Sequence, residues 1–139
     1  MPSDRAMPHV PVVIDHIALQ TADLDKAIDF YTRILGFELL ERKPFKRREM
    51  AWLRLGDVKF ELFGRREGEI LQDWSDLQVG PVHLALRVPN VEGFVEAALA
   101  KGASFHYSHP GLFTPPVKGA RPIAYLLGPD GEEVEIRDE

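Results

Sequence analysis

Cysteine is absent from the chain, which excludes disulfides, thiolate metal sites and a cysteine nucleophile. No run approaches the roughly 20 apolar residues that a bilayer-spanning helix needs. Positive charge is in deficit: 17 Lys and Arg stand against 22 Asp and Glu, a net charge of -5. That balance argues against non-specific nucleic-acid binding. Met1 to His9 is short and polar and lacks the apolar core of a signal peptide; it reads as a loose arm before the first strand. The expectation is a cytoplasmic protein with a small-molecule partner, no nucleic acid and no membrane. What is present suffices for one domain, since 139 residues that are 45% hydrophobic can bury a sizeable core.

The chain contains one pattern twice. Asp15-His16-Ile17-Ala18-Leu19 matches Val82-His83-Leu84-Ala85-Leu86 at an offset of 67. Asp23 then offers a helix N-cap, and Leu24, Ala27, Ile28, Tyr31 and Leu35 follow at helical spacing until Gly36. In the second copy Asn90 is the cap, Val91, Phe94, Val95, Ala98 and Leu99 form the stripe, and Gly102 ends it. Strands are expected at Phe37 to Glu41, Met50 to Leu55 and Val58 to Phe63, and again at Ala103 to Tyr107, Ile123 to Leu127 and Glu133 to Arg137. Each half therefore reads βαβββ, over about 12–64 and 80–137. Neither half buries enough surface alone, so the two must pack together. Gly64 to Gly80 and the Pro- and Gly-rich Ser108 to Arg121 connect the elements, and the length of the second suggests a lid or binding loop.

Strand parity selects four polar residues. His16, Glu61, His83 and Glu135 each sit between residues of opposite parity that can face the helices. One strand Glu is ordinarily a solvated side chain, and one strand His a satisfied polar group. Here the two His share one repeat position and the two Glu, 74 apart, share another. Two imidazoles and two carboxylates are a suitable ligand set for one divalent metal ion, Zn, Ni, Co, Mn or Fe, and they leave it neutral.

The residues assembled resemble the vicinal-oxygen-chelate superfamily over about residues 12 to 137. Ile14-Asp15-His16-Ile17-Ala18-Leu19 resembles its opening strand and Asp29 to Phe37, with Phe30-Tyr31 and Leu35-Gly36-Phe37, its first helix end. Phe60-Glu61-Leu62-Phe63 resembles its fourth strand, Gly80 to Ala85 the start of its second module, and Tyr125 to Ile136 its closing hairpin. The resemblance implies an α+β fold in which paired βαβββ modules form an open, cup-shaped mixed sheet. It implies that His16, Glu61, His83 and Glu135 are metal ligands, and that the protein is a homodimer. The fourth carboxylate, Glu61, favours members like glyoxalase I or methylmalonyl-CoA epimerase over the three-ligand extradiol dioxygenases. Drug-binding relatives typically lack the set.

The implied activity is that of a metal-dependent lyase or isomerase of lactoylglutathione lyase type. A divalent cation with open positions stabilises an enediolate or enolate while a carboxylate, Glu135 or Glu61, moves the neighbouring proton, and the resemblance favours Glu135 slightly. Alternatives are a methylmalonyl-CoA epimerase-like isomerase, a single-domain Fe(II) extradiol dioxygenase, or a non-catalytic binder of a drug or metabolite. An epimerase would want a further carboxylate, for which Glu49 and Glu133 are the nearest candidates. Trp52, Arg54, Phe63 and Arg87 are expected to line the cup and Lys118 to meet a substrate anion. Met50 shares the Trp52 strand face. Lys43, Lys46, Arg47 and Arg48 read as a solvated basic run, with a CoA phosphate or a glutathione carboxylate as the alternative partner. His106 and His109 lie near the long loop and could support the ligands.

Overall fold

Two capped helices, one in each half of the chain, establish the repeat. Asp23 and Asn90 stand 67 apart (90 − 23), the offset of His16 and His83. Both caps are extended, and each side chain accepts the backbone N–H three residues on, from Lys26 and Gly93. This satisfies a donor that the first helical turn leaves orphaned. Helix α1 (Leu24–Asp29) widens into a π turn at Phe30–Ile34, where the Leu35 N–H reaches back to the Phe30 carbonyl. Gly36 then leaves the helix at φ 90°, a conformation that strains any side chain. Helix α2 spans Val91–Ala100. The computed structural model describes residues 12–75, 77 and 79–138; the arm expected at Met1 to His9 lies outside them.

The strands form two open mixed sheets. Strands β1 (His16–Thr21), β2 (Glu38–Phe45), β3 (Arg48–Leu55) and β4 (Val58–Gly64) stand in the order β1-β4-β3-β2, with β1 parallel to β4. Strands β5 (Leu84–Arg87), β6 (Ala124–Leu127) and β7 (Glu133–Arg137) stand in the order β5-β7-β6, with β5 parallel to β7. The fold is thus the expected pair of modules forming open sheet, with each module a separate half-cup. One expected strand is reduced: Ala103 to Tyr107 contributes only the bridge Phe105↔Leu126, and Phe113↔Ile123 supplies another. Pro110 and Gly111 interrupt the segment between these bridges, and proline cannot donate to a ladder.

The pleat then divides the side chains. Ala51 and Leu53 of β3, Phe60 and Leu62 of β4, Ala124 and Leu126 of β6, and Val134 and Ile136 of β7 face the helices. With Leu24, Ala27, Tyr31, Val91, Val95 and Ala98 they make one core shared by both modules. Burying each large apolar side chain contributes about 1.5–3 kcal/mol. The residues between them point to the opposite face, which no helix among the described residues covers.

Polar contacts also tie the modules along the helix side. The Ala22 N–H donates to Asp130 Oδ1 (2.8 Å), and Arg33 Nη1 to the Lys101 carbonyl (2.8 Å). Buried Tyr31 donates its hydroxyl to Glu132 Oε2 (2.9 Å), and Glu132 Oε1 accepts the Asp130 N–H (2.7 Å). Burial pushes the Glu132 carboxyl above its usual range, although these hydrogen bonds pull the other way. Burial, followed by the neighbouring Glu132 charge, pushes the Tyr31 phenol far up as well. Gly128 makes this seat possible: a Cβ there would collide with Glu132 Cγ, Cδ and Oε1.

Candidate metal centre

Sheet register brings the expected residues together in two sets of three. Opposite Glu61 on β4 stand Ala18 of β1 and Trp52 of β3. Opposite Glu135 on β7 stand Ala85 of β5 and Tyr125 of β6. His16 and His83 each lie two residues before the alanine and share its face. Each half-cup therefore carries a His, a Glu and an aromatic residue, with an alanine keeping the space between them small-walled.

In the first half-cup His16 Nε2 stands 3.8 Å from Glu61 Oε1, and Asp15 Oδ2 meets the other ring nitrogen at 2.7 Å. A carboxylate on the second nitrogen fixes the orientation of the ring and raises its donor strength, as it does for ligating imidazoles. Trp52 packs edge-on against His16, with centroids 4.9 Å apart. The His16 bond and Lys59 hold the Asp15 carboxyl below its ordinary range.

In the second half-cup Glu135 is only 6% exposed. Tyr125 donates its hydroxyl to Glu135 Oε1 (2.7 Å), and Arg137 Nη1 donates to Oε2 at 3.4 Å. Burial and then the Glu135 bond push the Tyr125 phenol up to about 12. The His83 ring lies 6.0 Å from that of Tyr125 and its Nδ1 lies 3.9 Å from Glu133 Oε1. Glu133 thus shares the ligand face, whereas Glu49, the other further carboxylate considered, pairs with Arg42 (2.6 Å).

The donor chemistry fits a divalent cation: two imidazoles, two carboxylates, and a hydrogen-bond partner behind His16 and Glu135. Within one chain, and among the described residues, no group of three or more His, Asp or Glu comes close enough to hold a metal ion. In the first half-cup the close pair is His16 with Glu61 (3.8 Å), and in the second it is His83 with Glu133 (3.9 Å).

The remaining expected residues distribute unevenly. Phe63 lies on the ligand face two residues beyond Glu61, under the Arg48 guanidinium (4.2 Å) and beside Phe45 (5.8 Å). Arg54 shares the Trp52 face but is exposed and paired with Glu38 (2.7 Å). Arg87, at the far end of β5, and Lys118, in the long loop, are exposed. His109 stacks on Phe113 (4.5 Å) and on Tyr125 (4.9 Å), so the loop packs against the Glu135 partner. His106 is buried, with Nδ1 2.7 Å from Ser108 Oγ.

Tyr125, which donates to Glu135, is the neighbour of the candidate site that sequence reading missed. One aromatic on an alternating strand reads as core. The available signal was its match to Trp52 through the hairpin register.

The sequence profile of the Glyoxalase/Bleomycin resistance protein/Dioxygenase superfamily matches residues 13–136. The chain belongs to this superfamily. Among curated superfamily relatives, a probable chloroplastic lactoylglutathione lyase of Arabidopsis thaliana is 31% identical over 124 residues, 87% of this chain and 34% of that protein. The chain thus spans about a third of that plant relative. The lactoylglutathione lyase of Escherichia coli O157:H7 is 29% identical over 131 residues, covering 89% of this chain and 90% of that protein. Among solved structures, a glyoxalase family protein from Enterococcus faecalis superposes with a TM-score of 0.75 at 22% identity, covering 91% of this chain and 97% of that one. Superfamily membership accounts for the paired open sheets. No helix among the described residues is long and apolar enough to cross a membrane.

Proposed function

We propose that the protein is a divalent-metal-dependent lyase or isomerase of glyoxalase I type, which moves a proton next to a carbonyl. We further propose that its metal site joins the His16–Glu61 half of one protomer to the His83–Glu135 half of a twofold partner. The observation that carries this reading is the equivalence of the two half-sites, each a His and a Glu at matched register on an uncovered sheet face.

The edges support the dimer. Strand β1 closes one side of its sheet and β5 one side of the other. The chain entering β1 exposes Val12 (91%), Val13 (82%) and Ile14 (63%), and the chain entering β5 exposes Val82 (45%). Apolar side chains beside unpaired strand edges invite a second copy. Twofold pairing would place the first half-cup of each protomer against the second half-cup of the other.

When bound, the cation would polarise two substrate oxygens and stabilise the negative charge that develops there. The chain's own residues supply the rest. Tyr125 and Arg137 hold both Glu135 oxygens, which suits a fixed ligand. Glu61 accepts no comparable hydrogen bond among the described residues, and its carboxylate faces His16 at 3.8 Å. This freedom favours Glu61 as the proton carrier. Trp52 and Phe63 would shield the substrate from water.

The test is turnover of the hemithioacetal of methylglyoxal and glutathione by protein loaded in turn with Ni²⁺, Co²⁺ and Zn²⁺. The expected result is turnover that EDTA abolishes and added metal restores. No turnover with any of these metals would sink the lyase reading. Oxygen uptake with a catechol and Fe²⁺ would replace it with the dioxygenase.

A further inference from the structure

Arg48 stands apart from the basic run around it. Lys43, Lys46 and Arg47 are exposed, whereas the Arg48 Nε and Nη1 atoms are buried and have no hydrogen-bond partner among the described residues. Leaving buried donors of a charged group unpaired is expensive. The side chain projects onto the ligand face. It alternates in step with Met50 and Trp52 along β3, and Trp52 touches His16. Its guanidinium lies over the Phe63 ring at 4.2 Å, and Phe45 flanks that ring at 5.8 Å. Aromatic faces thus position a cation two of whose nitrogens, Nε and Nη1, find no acceptor among the described residues. Phe63 lies two residues beyond Glu61 on the same strand face, so the guanidinium sits roughly 7–10 Å from the Glu61 carboxylate.

The turn before Arg48 points the same way. Lys46 and Arg47 both adopt positive φ, 50° and 65°. A two-residue hairpin of this kind ordinarily selects Asn-Gly. Arg66 Nε donates to the Lys46 carbonyl (2.9 Å) and fastens the turn at the end of the cup.

We propose that Arg48 is an oxyanion-binding residue of the cup, holding a carboxylate or phosphate group of the substrate roughly 7–10 Å from the Glu61 carboxylate. This rests on the cup face being the substrate site. It deepens that reading by naming the substrate class: a carbonyl compound or its thiol adduct with an anionic tail of that reach. A neutral dicarbonyl alone would leave the Arg48 donors unpaired.

Direct binding tests this without turnover. Succinate and inorganic phosphate are titrated calorimetrically into the full chain in EDTA, so that no cation holds the anion. The comparison uses wild type, Arg48→Met, Arg48→Lys and, for loss of a neighbouring charge, Arg47→Met. The expected result is saturable binding of at least one anion by wild type. Arg48→Met should weaken it about tenfold or more and Arg48→Lys by less, as loss of a charge-assisted fork implies. Arg47→Met should leave it within about twofold, the small effect typical of an exposed charge. Succinamide should show no difference among the four. Tighter phosphate binding would identify a phosphorylated substrate, and tighter succinate binding a carboxylate.

No saturable anion binding by wild type, or equal binding by Arg48→Met, would overturn the proposal. So would unchanged anion binding with a dimer that Arg48→Met dissociates in sedimentation velocity, because Arg48 would then serve the subunit contact. Hemithioacetals of methylglyoxal with glutathione and with uncharged 2-mercaptoethanol separate the two readings. Turnover of neither sinks the lyase reading and leaves the titration standing. Equal loss of kcat/KM on both in Arg48→Met would count against the anion site alone.

Discussion

Gly128→Ala should destabilise the protein, and the sign is diagnostic. Gly128 carries no positive φ, and at such a position Gly→Ala ordinarily stabilises by about 0.4–1 kcal/mol. Here the new methyl would occupy the space of the Glu132 side chain. Glu132 would have to leave its seat, and two hydrogen bonds would go with it. Tyr31, 1% exposed, would lose the acceptor for its hydroxyl. A buried unsatisfied polar group costs about 1–3 kcal/mol, and the lost Asp130 N–H bond adds about 0.5–1.5 kcal/mol. The net expectation is a loss of about 0.5–4 kcal/mol in urea unfolding, with a centre near 2 kcal/mol or roughly 7 °C in Tm for a domain of this size. Glu132→Ala removes the obstacle as well as the acceptor. Adding Gly128→Ala to it should therefore cost little, with a coupling of about 1–3 kcal/mol in the double-mutant cycle. Additive losses, or a Gly128→Ala protein as stable as wild type, would refute the link between this glycine and the buried strut.

Glu132 also sets a pH dependence. Its folded pKa is raised by burial, so its contribution is fully present below the ordinary carboxylate range and is lost as pH rises through the folded value. Tm of Glu132→Gln should vary less with pH across that window than Tm of wild type; parallel curves would reject the assignment. Tyr125→Phe removes the Glu135 Oε1 hydrogen bond and should weaken Co²⁺ affinity by about 10–100-fold while leaving the fold intact. Unchanged affinity in a chelator competition would remove Tyr125 from the site. Replacing Lys46-Arg47 by Asn-Gly should stabilise the β2–β3 turn by about 1–2 kcal/mol, because neither new residue resists positive φ as Lys and Arg do; a lower urea midpoint would contradict the turn geometry.

The repeat was legible because capping and alternation are local. Asp23 and Asn90 announce their helices at one offset, and the strand parity of Glu61 and Glu135 survives in the sheet register. The division into two half-cups was not legible, since side-chain alternation says which face a residue takes but not which sheets join. Arg48 was hidden by composition: four basic residues within six positions read as one solvated run, and only packing separates the one over Phe63. Tyr125 was hidden by its type. The Ala103 to Tyr107 strand was overcalled because its apolar character reflects packing against the core, which Ala103 and Phe105 achieve with a single bridge.

Mixed dimers test the shared metal site most directly. His16→Ala/Glu61→Ala removes the first half-site and His83→Ala/Glu135→Ala the second, so neither variant alone should retain Co²⁺ after gel filtration. Unfolded together in equal amounts and refolded, the two should recover about a quarter of the wild-type metal content, since half the dimers are mixed and each rebuilds one of two sites. A mixture as empty as its components, or either variant holding wild-type metal, would contradict a centre built from complementary halves of two chains.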